Sequence, residues 1–310
     1  MVCNYTAVLR NRPLGVIYIC HGLAYFPLYI LCICVMVRKK LRKHSCYKIM
    51  ITMGITDLVN LMVNSILSGI ISIVGSPFCL DHMYWNRAVS AIAYACWTTY
   101  CAMSITLAVD RMVEGGPWAI QLFEHSKTWI WMAGCMAYGL SQAIFYMTPL
   151  ASYAYQADVG QYVPGHTPAG FWMFFFNNVT TCSTIIICYT LTIIKYRNKV
   201  AQMQSVEAAQ QSNANVRRLM YTSLAVCTLT CVGAGAYLTA PLIAPYWPFY
   251  PPIMTLGHMG WQIINGSNCI IYLAINKTIR NGVKKIACRK SPNAVGNNVP
   301  KSGTIRTANT

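Results

Sequence analysis

Acid is what this chain has least of. Seven Asp and Glu residues serve 310 positions, and all charged residues together make up 10%. A soluble domain carries about 25% charged residues, so the composition excludes a water-facing globular surface and fits lipid as the main solvent. The period-two alternation of membrane barrel strands, over about 10 residues, is absent as well. No internal or inverted repeat of the transporter kind is present. His21 and His258 stand alone, without H-E-x-x-H or close Cys/His spacing, so neither a metal centre nor an enzyme is expected, and no cofactor. A cleavable leader is not expected either. The first 13 residues are polar, and the first apolar run is longer than a signal core of about 7–15 residues.

Apolar runs are what the chain has in plenty, with 55% hydrophobic residues. Seven are long enough to cross a bilayer, which takes about 20 helical residues. They are Leu14–Val37, Ile49–Val74, Ala88–Val109, Trp129–Met147, Phe171–Ile194, Leu219–Ala244 and Ile253–Ile275. The fourth is the most broken, by Tyr and Ser. All should be helices, because lipid offers no partner to backbone N–H and C=O groups. The expected fold is an all-α membrane protein: a seven-helix bundle over 14–275, with an outer N-terminus (1–13) and an inner tail (276–310).

The basic residues orient it. The net charge is +17, and 21 of the 24 Lys and Arg residues fall in 38–48, 110–128, 195–218 and the tail. Basic loops stay cytoplasmic, so the N-terminus is expected outside and the C-terminus inside. Topology accounts for the charge without a nucleic-acid partner. Asn4-Tyr5-Thr6 is then an outer N-x-T glycosylation sequon. Most of the 15 cysteines lie inside the runs, where they act as small apolar residues. Cys3 and Cys79 alone lie plainly outside, as a candidate disulfide pair. Trp85, Tyr246, Trp247 and Tyr250 suit the interfacial aromatic belt. After the last run, Ile279, Val283 and Ile286 recur at helical spacing among Lys277, Arg280, Lys284 and Lys285. That predicts an amphipathic helix on the inner lipid surface, with Cys288 at its end as a palmitoylation candidate.

Polar residues inside the runs carry the functional signal. Asp57 is the one formal charge among all seven, and such a residue is a functional candidate. Asn265, Ser267 and Asn268 are its nearest candidate company, and Asn268 shares a helix face with Tyr272. At the inner end of the third run stand Asp110 and Arg111, an acid able to hold a guanidinium until it is released.

With these residues assembled, the chain resembles the rhodopsin-like G-protein-coupled receptors. Asp110-Arg111-Met112 is similar to their D/E-R-Y signature, Asn268-Cys269-Ile270-Ile271-Tyr272 to N-P-x-x-Y, and Asp57 to their second-span aspartate. Trp129 or Trp131 would stand for the fourth-span tryptophan, Tyr189 for the tyrosine that moves beside the arginine, and Pro241 for the sixth-span kink proline. More narrowly, the chain resembles the nematode serpentine chemoreceptors of class T. Asn11–Ile30, Lys43–Leu61, Asn64–Cys79 and the Asp-Arg motif carry this resemblance. Departures are Met112 for Tyr, Cys269 for Pro, no proline in the fifth run, and AYLTAP where a tryptophan-proline switch would stand. Loop 148–170 holds no cysteine, so the usual third-span bridge cannot form.

The resemblance implies a chemosensory receptor in the plasma membrane, in sensory neurons. It would bind a small extracellular molecule and activate a heterotrimeric G protein through Asp110, Arg111, Tyr189, Asn268 and Tyr272. Surrounding membrane lipid is implied, and homo- or hetero-oligomeric assembly stays open. Candidate ligand residues are Tyr94, Trp97, Cys101, Phe174, Asn177, Tyr237, His258 and Gln262. Ala93 occupies the place of the acid that amine receptors share, so a neutral or weakly polar ligand is expected. The rival reading is an ion channel or transporter with Asp57 and Asn268 as an intramembrane ion site.

Overall fold

The computed structural model describes residues 8–77, 83–114, 116–124, 126–148, 150–151, 153–157, 160–164, 168–201, 220–236 and 250–288. Cys3, Asn4, Cys79, Arg217, Arg218, Tyr237, Pro241, Tyr246, Trp247 and the tail past Cys288 lie outside them.

The helices are α1 (Arg12–Met36), a short α2 (Lys39–Arg42), α3 (Ser45–Val74), α4 (Met83–Val113), a short α5 (Pro117–Phe123), α6 (Lys127–Met147), α7 (Pro168–Ala201), α8 (Met220–Ala236), α9 (Tyr250–Ile275) and α10 (Lys277–Ala287). Seven of these overlap the seven apolar runs. By length and composition α1, α3, α4 and α7 are apolar enough to cross a membrane, and α8 is a shorter apolar helix. Local chemistry sets the ends. Asn11 caps α1 by accepting from Leu14 N–H at 3.3 Å, with Pro13 in the first turn. Gly75, at φ 94°, ends α3 in a conformation that a side chain would strain.

The bundle exposes apolar flanks and buries a set of polar residues within its hydrophobic core. Val16, Leu23, Ile30, Ile130, Leu140 and Ile186 are exposed on its flanks. Asp57, Asn60, Asn64, Ser65, Gln262, Asn265 and Asn268 are buried. Lipid removes the hydrophobic drive between helices, so close contact and internal hydrogen bonds must hold them. Close contact is plain between α1 and α3. A Cβ on Gly15 would meet the Gly69 carbonyl oxygen at 2.5 Å, and one on Gly69 the Gly15 oxygen at 2.7 Å. α4 is central, packed against α3, α6 and α7.

One local departure from α geometry matters. Met62–Leu67 of α3 wind as π-helix, a form in which the hydrogen-bond ladder slips by one residue, often at functional sites. The Asn64 carbonyl there receives Gln262 Nε2 at 2.8 Å and lies 3.0 Å from His258 Nε2. α9 thus docks on an acceptor exposed by the slip.

Two strand pairs close the N-terminal end of the bundle. β1 (Val8–Leu9) pairs antiparallel with β2 (Ser76–Pro77), Leu9 facing Ser76. β3 (Tyr153–Gln156) pairs antiparallel with β4 (Gln161–Pro164), Tyr153 facing Pro164. This second hairpin turns at Gly160, φ 69°, and its tyrosines reach down into the bundle. Tyr155 O–H meets Ser72 Oγ at 2.7 Å and Tyr162 O–H meets Ser68 Oγ at 2.8 Å. Burial pushes both phenols above their ordinary range, so both stay neutral.

No covalent bridge is available to loop 148–170, and hydrogen bonds hold the hairpin instead. Asn86 of α4 clasps the Tyr155 backbone from both sides: Nδ2 donates to its carbonyl and Oδ1 accepts from its N–H, each at 2.8 Å. The neighbouring Arg87 Nη2 donates to the Thr148 carbonyl at 2.9 Å and to those of Met147 and Ala151 at 3.3 Å. Tyr18 O–H donates to the Gly160 carbonyl at 2.7 Å. Asn86→Ala is expected to cost about 1–3 kcal/mol by orphaning buried backbone groups. The readouts are a lower Tm in nanodiscs and faster proteolysis within 148–170; an unchanged loop would remove Asn86 as its anchor.

Candidate functional site

The polar interior centres on Asp57. Its Oδ2 accepts from Tyr29 O–H of α1 at 2.7 Å and from Asn268 Nδ2 of α9 at 3.0 Å. Asn268 Nδ2 also donates to Tyr100 O–H of α4 at 2.8 Å. The Tyr29 hydroxyl has the Asn265 carbonyl as a second acceptor. Asp57 is fully buried, bonded directly to α1 and α9 and, through Asn268, linked to α4. No Lys, Arg or His pairs with it among the described ion pairs; its Oδ2 takes neutral donors alone, and its Oδ1 accepts no hydrogen bond among the described residues. Tyr272 is buried one turn below Asn268.

Arg111 lies at the other end of α4, and it too is buried. Its Nε donates to Asp110 Oδ2 at 3.1 Å, and Nη2 pairs with the same oxygen. Nη1 donates to Glu114 Oε2 at 2.7 Å. The guanidinium is thus held between two carboxylates of its own helix end. An open cavity of about 870 Å³ runs alongside, with Lys43, Lys48, Asp110, Arg111, Glu114 and Trp129 in its wall. Tyr189 of α7 is buried and turned to α8, its O–H donating to Cys227 Sγ at 3.5 Å. Trp131 Nε1 donates to the Leu122 carbonyl of α5 at 3.0 Å. Cys288 is exposed just past α10. The cap of α10 is Asn276, which accepts from Thr278 and Ile279 N–H and donates to Tyr47 O–H at 3.1 Å. α10 buries Ile279 and exposes Lys277, Lys284 and Lys285.

Toward the hairpin, the candidate ligand residues fall into two groups. Tyr94, Trp97 and Cys101 are buried along one face of α4. Tyr94 packs on Tyr146, with ring centres 4.2 Å apart, and on Phe174 at 6.2 Å. Trp97 crosses Trp261 edge-on at 6.0 Å. His258 stands among the rings of Tyr18, Tyr155, Tyr162 and Trp261, at 5.0–5.9 Å. Gln262 links His21 Nδ1, at 3.0 Å, to the Asn64 carbonyl. Asn177 accepts from Tyr138 O–H of α6 at 3.0 Å and lies beside Cys101. One residue on, Asn178 accepts from Trp97 Nε1 at 3.0 Å.

Comparison with known proteins places this architecture. Residues 3–295 match the family described as serpentine type 7TM GPCR chemoreceptor Srt. The chain belongs to that family. It is 20% identical over 253 residues to serpentine receptor class T-55 of Caenorhabditis elegans, which covers 79% of this chain and 66% of that receptor. This chain thus spans just under two thirds of that relative. It is 24% identical over 275 residues to the long-wave-sensitive opsin 1 of Canis lupus familiaris, covering 81% and 71%. Squid rhodopsin has the same fold, with a TM-score of 0.77, 14% identity, and coverage of 100% of this chain and 94% of that one. The chain is a multi-pass membrane protein with a rhodopsin-like helical bundle.

Three residues of these sites carried no role in the sequence reading. Glu114 had a signal, since it stands three positions after Arg111, the spacing that brings opposite charges together on a helix. Tyr29 and Tyr100 had none, for Tyr29 reaches Asp57 and Tyr100 reaches Asn268 from other helices. The network around Asp57 should be cooperative. Asn268→Ala removes donors from Asp57 and from Tyr100, and is expected to destabilise the receptor by about 2 kcal/mol, the cost of an orphaned buried polar group. Thermal unfolding in nanodiscs measures this, and an unchanged Tm would refute it.

Proposed function

We propose that this chain is a chemosensory receptor that binds a small extracellular molecule and activates a heterotrimeric G protein. The observation that carries the reading is Arg111. It is a buried guanidinium held by Asp110 at the end of the bundle opposite the hairpin, with Tyr189 engaged elsewhere. A buried charge held only by local carboxylates can be handed to a new partner if the helix ends part.

In this reading the N-terminus and the hairpin face outside, and α2, α5 and α10 face the cytoplasm. Spans 14–37 through 253–275 cross the plasma membrane of a sensory neuron. The exposed bases of α10 suit an anionic inner leaflet, with Cys288 placed for an acyl chain. Ligand enters at the hairpin end and binds among Tyr94, Trp97, Cys101, Phe174, Asn177, His258 and Gln262, with Tyr237 beyond the described residues. Those rings favour a neutral or weakly polar molecule. Its greater affinity for the active arrangement shifts the population. The inner ends of α7 and α8 then separate, and Arg111, Tyr189 and Tyr272 line the groove for a G-protein helix.

A second reading has its own support. Asp57 Oδ1 and Asn268 Oδ1 are buried oxygens that accept no hydrogen bond among the described residues. Oxygen is the donor a hard cation takes, and a channel or transporter would use this pair in transit. Arg111→Ala separates the two. At matched surface level, loss of ligand-evoked second-messenger signals supports G-protein coupling. A fully retained response would remove Arg111 from the switch and favour conduction.

A further inference from the structure

Arg111 is held by more than the acid beside it, and the second hold is fastened to another helix. Glu114 follows the last helical residue of α4, so its position depends on how that helix end is closed. The last carbonyls of a helix have no intrahelical donor. Here one side chain of α7 supplies two of the bonds: Lys195 Nζ donates to the Glu114 carbonyl at 2.8 Å and to the Met112 carbonyl at 3.2 Å. An ammonium at this position also suits the negative end of the α4 dipole. The Glu114 carboxylate, 38% exposed, reaches back to Arg111 Nη1 at 2.7 Å.

The chain of contacts therefore runs from α7 to Arg111. Lys195 closes the turn at 112–114, the turn places Glu114, and Glu114 holds the guanidinium. Lys195 lies six residues after Tyr189 on the same helix, so it travels with the inner end of α7. A shift of that end by a few ångströms would break both carbonyl bonds. The turn would then loosen and the carboxylate would withdraw. Asp110 does not depend on α7 in this way, because it pairs with Arg111 from within the α4 helix.

We propose that Glu114 is a positioning residue that keeps Arg111 in its resting place, and that Lys195 of α7 sets whether Glu114 can do so. This rests on the G-protein reading for its signalling consequence, though not for the linkage itself.

The experiment uses the full-length receptor and variants E114Q, K195M, K195R and the double variant K195M/E114Q. In cells at matched surface level, E114Q and K195M should raise ligand-free signalling roughly 3- to 10-fold, the equilibrium shift of one partly exposed charge-assisted hydrogen bond. K195R keeps the donor and should stay quiet. The double variant should signal no more than E114Q alone, because the two residues act in series; simple structural damage would add instead. In nanodiscs, hydrogen exchange over 111–120 should speed up in K195M and stay near wild type in K195R. Ligand-free signalling unchanged in both single variants, with a responsive wild type, overturns the gating role. Unchanged exchange in K195M overturns the linkage whatever the signalling does. A receptor that is silent in every form, yet loosened at 111–120 by K195M, would leave the linkage standing and refute the coupling reading.

Discussion

A buried acid with no ion pair among the described residues sets the terms for the rest of this molecule. Asp57 Oδ2 accepts from Tyr29 and Asn268 and, through Asn268, is tied to Tyr100. Those partners come from α1, α9 and α4, so the acid can be tolerated only where four helices converge. In a medium without water that requirement acts as a strong positional constraint. Apolar contact cannot play this part, because lipid solvates a leucine as well as a neighbouring helix does. Polar residues therefore collect inside, and the exposed flanks of α1, α6 and α7 are left aliphatic.

Above and below this centre the two ends are built differently. The hairpin end is closed by tyrosines that drop from a loop onto serines of α3, and by Asn86 and Arg87 gripping its backbone. These are many modest bonds with no covalent lock among them. Such a cover can open at a cost spread over several contacts. The opposite end concentrates its energy in one buried guanidinium between Asp110 and Glu114. That arrangement suits a switch, since a single charge changing partners alters the whole end at once. The π-turn at Met62–Leu67 lies between the two. Its freed Asn64 carbonyl joins α3 to α9 through His258 and Gln262, so rearrangement beneath the hairpin bears on the helix that carries Asn268 and Tyr272.

Helix positions were legible because lipid enforces a simple rule: a long apolar run without charge becomes a helix. Ala88–Val109 reads that way, and α4 covers it. The ends were less legible. α4 starts at Met83 and continues to Val113, and α7 runs on to Ala201, because a helix continues into the polar interface wherever charged side chains can reach water. The pairing of Asp57 with Asn268, and of Asp110 with Arg111, could be read from residue type and placement. The facing of Asn177 and Asn178 could not. Two adjacent amides on a helix differ by about 100° in direction, so helix rotation alone turns one to Tyr138 and the other to Trp97.

By itself, then, the sequence determined the helical class, the concentration of base at the C-terminal end, and which polar residues could not be left in lipid. Each of these depends on the free energy of moving one residue type between water and hydrocarbon, which is a local property. Tertiary structure alone decided that Tyr29 and Tyr100 complete the Asp57 site, that a hairpin held by Asn86 stands where a disulfide would, and that Lys195 reaches the end of α4. Those are contacts between residues 28 to 168 positions apart. They exist because close packing brings distant helices to hydrogen-bonding distance, and no spacing along the chain encodes that distance.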